Sequence, residues 1–417
     1  MRRHLTAAAA SLLLAAGGAV ISPAVPVPAH AAPSPTPTPR TPTLPVPKAT
    51  VDPRLSVGGE RLASMGLVVD RPADVPAPPA LKNVSWLLAD METGDVLAAK
   101  AAHARLLPAS TLKTLTALTL IPQVDATRSY TATAADASAD GTRVGILPGH
   151  TYTGQQLFGA LLMASGNDAA YVLARAGGGM EATVAAMNEE ARHLGAHDTV
   201  AKDPSGLDAP GQTSSAYDLA LIGRAAMQLP QFRTYVTTKQ MAFPGRKGQG
   251  GKRPTYVISN HNRLLYNYEG TVGIKNGYTN AAKRTFISAV TRGGKTYLLT
   301  EMHGLDPSWR TQAAMYDWAF RYGDRLAPVG RLVEPGTVTQ PPALPSPPFT
   351  TDPATAPPPW DDRDGSAGAA AAVPRWGLTE AGLAPWVGVT GLGAAVLLVA
   401  LLAIRAITRT TRDPRSG

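Results

Sequence analysis

The chain has 417 residues, 44% of them hydrophobic, enough for one large or two ordinary globular domains together with its ends. It contains no cysteine, which excludes a disulfide scaffold, thiol catalysis and cysteine-ligated zinc and leaves the fold to rest on its own core. The formal charge of +9 partly reflects the two basic ends and is a weak argument for a nucleic-acid partner.

Residues Met1 to Ala31 carry the three parts of a secretory signal: Arg2, Arg3 and His4, an apolar run from Leu5 to about Ile21, and the small-residue site Ala29-His30-Ala31. The mature chain is expected to start near Ala32. General secretion is the expected route, with the Arg2-Arg3 pair leaving twin-arginine export open. Residues 32–51 are rich in Pro, Ser and Thr, a composition that favours an extended linker.

Residues 52–329 form one compositionally even block, read as a single large domain or a domain with an inserted subdomain. Within it, VSWLLADMETGDVLAAKAA alternates around Glu-Thr-Gly-Asp and predicts a hairpin. Thr114 to Ile121 reads as a helix closed by Pro122, and TGQQLFGALLMASGNDAAYVLARAGG and GMEATVAAMNEEARHLG carry helical periodicity with glycine stops. GIKNGYT and RTFISAVTRGGKTYLLTEMHG read as adjacent strands, followed by a helix from about Ser308 to Tyr322. Strands at both ends with helices between them predict a mixed α/β domain whose sheet is completed late in the chain.

A second Pro-rich linker is expected over 330–383, then a transmembrane helix over 384–404, where Trp386 to Ile404 is apolar and uncharged. Arg405, Arg409, Arg412 and Arg415 follow in a basic tail, 405–417. A cleaved signal and this arginine cluster predict a single-pass membrane protein with its folded domain on the extracytoplasmic side.

Three short motifs carry chemistry. Ser110 and Lys113 lie three apart at a helix start, so the amine can reach the hydroxyl; a serine needs a base, and a lysine serves only if burial or a nearby cation keeps it neutral. Ser165-Gly166-Asn167 offers a hydroxyl that can pass a proton and an amide that can hold a peptide. Gly273 to Thr279 puts Lys275, Asn276 and Gly277 on a strand, where an ammonium and free backbone N–H groups can meet a carboxylate. Each alone has a plainer reading: a solvated helix face, a capped glycine turn, an Asn-Gly turn. The basic GRKGQGGKRP, Gly245 to Pro254, fails the phosphate-loop pattern and reads as a hairpin loop, and the eight histidines show no metal-ligand spacing.

Together and in this order, the three motifs resemble the Ser-x-x-Lys, Ser-x-Asn and Lys-Thr-Gly set of penicillin-binding proteins and serine β-lactamases. With ADMETGDVLAAKAAHARLLPASTLK, MASGNDAA, KDPSGLDAPGQTSSAYDLALIG, NHNRLL and VGIKNGYTNAAKRTF, the chain is similar to the low-molecular-mass penicillin-binding proteins of the D-alanyl-D-alanine carboxypeptidase family, the S11 serine peptidases. The resemblance implies a β-lactamase/transpeptidase-like fold: an antiparallel sheet flanked by helices, with an inserted helical subdomain.

It also implies Ser110 as nucleophile toward the D-Ala-D-Ala terminus of a peptidoglycan stem peptide, Lys113 as its base and Ser165 as the proton relay. Asn167, Lys275, Asn276, Gly277, Tyr278 and Thr279 would bind substrate, with the N–H groups of Ser110 and Tyr278 as oxyanion hole. β-Lactams would acylate the same serine, no cofactor or metal is implied, and the role would lie in cell-wall synthesis and cell shape. A D,D-transpeptidase or endopeptidase and a non-catalytic muropeptide-binding protein are the alternatives. Asn276 stands where the family usually has threonine, Lys283 where it has glycine and Gln212 where it often has histidine.

Overall fold

The computed structural model describes residues 52–248, 251–338 and 340. The expected signal, the linker over 32–51, the spanning helix over 384–404 and the basic tail lie outside the described residues, as does nearly all of the second linker. Among the described residues no helix is long and apolar enough to cross a membrane.

Among the described residues the first strands are β1, Leu67–Val69, and the expected hairpin, β2 at Asn83–Asp90 and β3 at Asp95–Lys100. Its turn forms because Asp90 Oδ1 accepts the N–H groups of Glu92 and Thr93, each at 3.0 Å. A helical region follows: α1 Lys113–Leu120, the small hairpin of β4 Ser129–Thr131 and β5 Thr151–Thr153 with α2 Ala134–Ala137 between them, then α3 Gly154–Leu162, α4 Asn167–Ala176, α5 Met180–His193, α6 Ala216–Ala226 and α7 Pro230–Thr237. The segment with helical periodicity from Thr153 to Gly178 forms two helices, joined where Ser165 takes a left-handed conformation, φ +61°. β6 Gln240–Pro244 and β7 Thr255–Ser259 pair as a hairpin around the basic Gly-rich segment.

After α8, Leu264–Asn267, come β8 Thr271–Thr279, β9 Lys283–Arg292 and β10 Lys295–Gly304, then α9 Arg310–Tyr322 and β11 Gly330–Arg331. All seven strands of the main sheet run antiparallel in the order β1-β3-β2-β10-β9-β8, with β11 also paired to β3. The fold is the expected mixed α/β arrangement with an antiparallel sheet. Folded chain continues past Val329, since β11 pairs with β3 and Leu332 is fully buried, so packing reaches into the segment expected to be linker.

Alternation divides the sheet between two cores. Leu87 and Ala89 of β2 and Leu298 of β10 face the large core built with α1, α3, α4 and α6. Trp86, Leu88, Tyr297 and Leu299 face a smaller core closed by Met315, Tyr316 and Ala319 of α9. Because β2 is covered on both faces, its sequence is apolar without a break from Trp86 to Ala89.

Lys283, at the end of the β8–β9 turn, has φ +57°, a region in which a side chain costs about 1–2 kcal/mol. Lys283→Gly is therefore expected to stabilise the domain by about 1 kcal/mol, a rise in Tm of about 2–4 °C in a thermal melt. An unchanged or lower Tm would mean that the turn carries no such strain.

Candidate active site

Ser110 sits in a 3-10 turn, Ala109–Leu112, that runs directly into α1. Ala109 just before it is left-handed, φ +49°. The turn is pinned from outside: Pro108 O accepts Thr111 Oγ1 at 2.5 Å and Thr285 Oγ1 of β9 at 2.7 Å. Gly206 packs so tightly against it that a Cβ there would lie 2.1 Å from Ala109 O.

Lys113, the first residue of α1, has no exposed surface. Its Nζ lies 3.1 Å from Ser110 Oγ, 2.6 Å from Asn167 Oδ1 and 2.5 Å from Ser205 O. Burial, and next the positive charge of Lys275, push its pKa well below the ordinary lysine value. In the neutral amine two N–H groups go to Asn167 Oδ1 and Ser205 O, and the lone pair is left for the hydroxyl proton of Ser110. The expected serine and lysine are thus brought together as a nucleophile with a base.

Asn167 begins α4 and also donates from Nδ2 to Asp140 O at 2.6 Å. Its neighbour Asp168 is buried and accepts the N–H groups of Val144, Gly145 and Ile146 at 2.9–3.1 Å, which ties the 140–146 loop down beside Asn167. Ser165 is buried and left-handed, and its hydroxyl makes no hydrogen bond among the described residues. The structure therefore puts Ser165 in the turn before Asn167 without joining it directly to Ser110 or Lys113.

The third motif lies on β8, the outermost strand of the sheet. Lys275 is 1% exposed; burial lowers its pKa to about 7, and Nζ donates to Asn276 O at 2.7 Å. Gly277 meets the nucleophile turn: a Cβ there would lie 2.4 Å from Thr285 Oγ1, 2.8 Å from Ser110 N and 3.0 Å from Thr111 N. Only a residue without a side chain lets β8 approach these N–H groups. A cleft of about 260 Å³ opens over Ser110, lined also by Asn167, Thr142, Leu207, Tyr278 and Thr279. Thr279 Oγ1 donates to Asp208 Oδ1 at 2.9 Å, fixing one rim. Asn276 instead lines a neighbouring cavity, with His261 and Glu301.

Residues beyond the three motifs complete the site. Ser205 contributes a backbone carbonyl, held in place because Asp203 Oδ1 accepts Ser205 N at 2.7 Å. Gln212 is buried; its Oε1 accepts the N–H groups of Lys202 and Asp203 and its Nε2 donates to Leu207 O at 2.6 Å, so it holds the same loop. Asp203 to Gly206 belongs to a segment that carries the family resemblance, but a carbonyl ligand to Lys113 has no side-chain signature.

One buried cluster has metal-like proximity: His103, Asp198 and Asp218. His103 Nδ1 lies 2.8 Å from Asp198 and Nε2 3.0 Å from Val57 O, while Arg105 Nε donates to Asp198 Oδ1. With both ring nitrogens facing oxygen acceptors, these groups form a hydrogen-bonded ion pair in which the imidazole has no lone pair to offer a metal.

Against known proteins, residues 73–303, more than half of the chain, match the model of a family described as D-alanyl-D-alanine carboxypeptidase. A D-alanyl-D-alanine carboxypeptidase of Mycobacterium tuberculosis is 42% identical over 255 residues, which cover 60% of this chain and 85% of that protein. A solved D-alanyl-D-alanine carboxypeptidase structure from Mycobacterium tuberculosis superposes with TM-score 0.59 at 40% identity, covering 63% of this chain and 99% of that one. A Streptomyces DD-transpeptidase structure does so with TM-score 0.56 at 28% identity, covering 59% and 100%.

Two outcomes are expected from this geometry. Gly277→Ala should slow acylation of Ser110 by a labelled β-lactam about 100-fold or more, by forcing β8 away from the Ser110 N–H; acylation at the unaltered rate would show that the contact is dispensable. Lys275→Ala should move the acid limb of the acylation pH profile upward, because Lys113 loses the repulsion that favours its neutral form and stays protonated to higher pH. A limb that does not move would assign the depression of Lys113 to burial alone.

Proposed function

The chain belongs to the D-alanyl-D-alanine carboxypeptidase family, and on that premise we propose how this serine D,D-carboxypeptidase uses its residues. The observation that carries the reading is the Lys113 amine, dry, pushed toward its neutral form and 3.1 Å from Ser110 Oγ.

Lys113 Nζ takes the hydroxyl proton as Ser110 Oγ attacks the carbonyl carbon of the penultimate D-alanine. The N–H groups of Ser110 and Tyr278 receive the developing oxyanion, which the close approach of Gly277 to Ser110 N supports. Collapse breaks the C–N bond, and the proton reaches the departing D-alanine through the Ser165 hydroxyl, which makes no hydrogen bond among the described residues. Asn167 holds the substrate amide, and Lys275 supplies positive charge toward the terminal carboxylate, with Thr279 at the rim of the same cleft. Water then adds to the Ser110 ester, Lys113 again taking a proton, and frees the shortened peptide. β-Lactams acylate the same Ser110.

The same reading includes the expected architecture. Residues 1–31 act as an export signal, 52–329 as the catalytic domain outside the cytoplasm, and 384–404 with its arginine flank as a single-pass anchor. The Pro-rich segments act as spacers between domain and membrane.

The test is D-alanine release from a pentapeptide ending in D-Ala-D-Ala. Release by the wild-type chain that falls by about 10⁴-fold or more in Ser110→Ala is expected, and release that survives the substitution removes Ser110 from the chemistry. Lys113→Ala should abolish labelling by penicillin, and undiminished labelling would remove Lys113 as base. Adding an acceptor amine distinguishes hydrolysis from transpeptidation, since only the latter yields a new peptide bond.

A further inference from the structure

The basic Gly-rich segment is used by no step of the chemistry, and its surroundings are unusual in charge. Between Asp218 and Glu269 the chain carries eight Lys and Arg residues and no Asp or Glu. At the centre of this acid-free stretch, β6 and β7 form a two-stranded sheet of their own. Arg246 and Lys247 follow β6, and Lys252 and Arg253 precede β7.

Pairing decides which side of the hairpin meets water. Met241 and Phe243 stand opposite Ile258 and Tyr256, and Phe243 and Ile258 are buried against the domain. The alternate pairs, Gln240 with Ser259 and Ala242 with Val257, are exposed, Val257 at 62%. The outward face is therefore uncharged, made of small side chains and partly apolar. Three contacts fix the hairpin to the domain. The Arg253 guanidinium lies 4.4 Å from the centre of the Tyr152 ring, and Lys247 N donates to His150 Nε2 at 3.3 Å. The Tyr256 hydroxyl donates to Val144 O in the 140–146 loop, whose Thr142 lines the cleft over Ser110.

Arg246, Lys247 and Lys252 are exposed, as is Lys239 at the foot of β6, and among the described residues none of the four makes an ion pair. Free cations gathered without a single acid attract a polyanion. The same stretch also holds three of the six large apolar or aromatic side chains that are exposed among the described residues, Tyr256, Val257 and Tyr266. Tyr266 stands at the foot of the hairpin, where its hydroxyl donates to Lys239 O at 2.6 Å. A soluble polyanion gains little from an exposed valine and tyrosine rings. A lipid interface accepts both sets of groups, cations at the anionic headgroups and tyrosine and valine at the boundary with the acyl chains.

We propose that the β6–β7 hairpin is a membrane-docking surface, with Lys239, Arg246, Lys247 and Lys252 meeting the headgroups of an anionic bilayer and the Val257 face entering the interface. The inference is independent of the reaction at Ser110. Because Tyr256 joins the hairpin to the 140–146 loop, docking brings that rim of the cleft toward the lipid surface.

The lack of cysteine allows a single probe to be placed at will. Full-length Val257→Cys, labelled with an environment-sensitive nitrobenzoxadiazole dye, is presented to vesicles of phosphatidylcholine alone or of phosphatidylcholine mixed with phosphatidylglycerol. Anchoring by any other segment is common to both compositions. Emission is expected to shift to the blue in the anionic vesicles and to return at about 1 M salt, where the Debye length is about 3 Å. The same dye at Met180→Cys on α5, exposed but outside the acid-free stretch, should read alike in both. Adding Lys247→Gln and Lys252→Gln to Val257→Cys should remove the difference between the vesicles. Should Val257→Cys fail to fold, Ala242→Cys, its partner across the hairpin, is expected to give the same shift. Equal emission in the two vesicles at the hairpin position overturns the inference, as does an equal blue shift at Met180 or a shift that persists in the double glutamine variant. A response to soluble poly(glycerol phosphate) with none to the anionic vesicles assigns the surface to a free polymer and overturns the lipid assignment.

Discussion

The structure is organised around one costly arrangement, an amine with no exposed surface at the start of α1. Burial makes the Lys113 amine a base, because a lysine in water near neutral pH is an ammonium with no lone pair to give. The same burial must be compensated by polar contacts, and the three that do so come from distant parts of the chain: Ser110 one turn away, Asn167 at the head of α4 and the Ser205 carbonyl in a loop. Each contact is in turn secured by another. Asp168 ties the loop beside Asn167, and Asp203 and Gln212 hold the loop that carries Ser205. Thr116, one turn further along α1, bonds Pro204 O at 2.6 Å and locks helix and loop in register.

Sheet order explains how such distant segments meet. β2 and β3 form early, yet β10, nearly two hundred residues later, inserts next to β2, with β9 and β8 following outward. The helices α1, α3, α4 and α6 build the core on one side of the sheet, and the outermost strand passes the α1 start at Gly277. A strand with a free edge leaves its N–H groups open to an extended peptide, and here that edge runs beside the nucleophile.

Much of this was legible. Long periodic segments fixed the β2–β3 hairpin, α1, α5, β8 to β10 and α9, because each buries a continuous face and so carries a strong pattern. The strands of three residues, β1, β4 and β5, are too short to show a period, and α6, within a segment singled out for its motif, went unread as a helix. Lys113 and Ser110 were legible as a pair, because i and i+3 on a helix must be neighbours. The Ser205 carbonyl was not, since any residue can supply one. Asn276 is a different case. The period of two already separates it from Lys275 and Gly277, and that rule, applied to the motif, sends its side chain to the face away from Ser110.

The departures from the family pattern follow the same division. Lys283 occupies a left-handed position where glycine would rest without strain, and Gln212 holds a loop by its amide where a histidine often stands. Neither touches the Lys113 amine. Asn276 lies on the α9 face with Glu301 and Arg284, where exchange of a hydroxyl for an amide alters what the neighbouring cavity can bind. The α1 face of β8 thus meets the chemistry through the buried Lys275 and the close backbone contact of Gly277, which permits no side chain, whereas Asn276 on the α9 face makes no contact with the Lys113 amine.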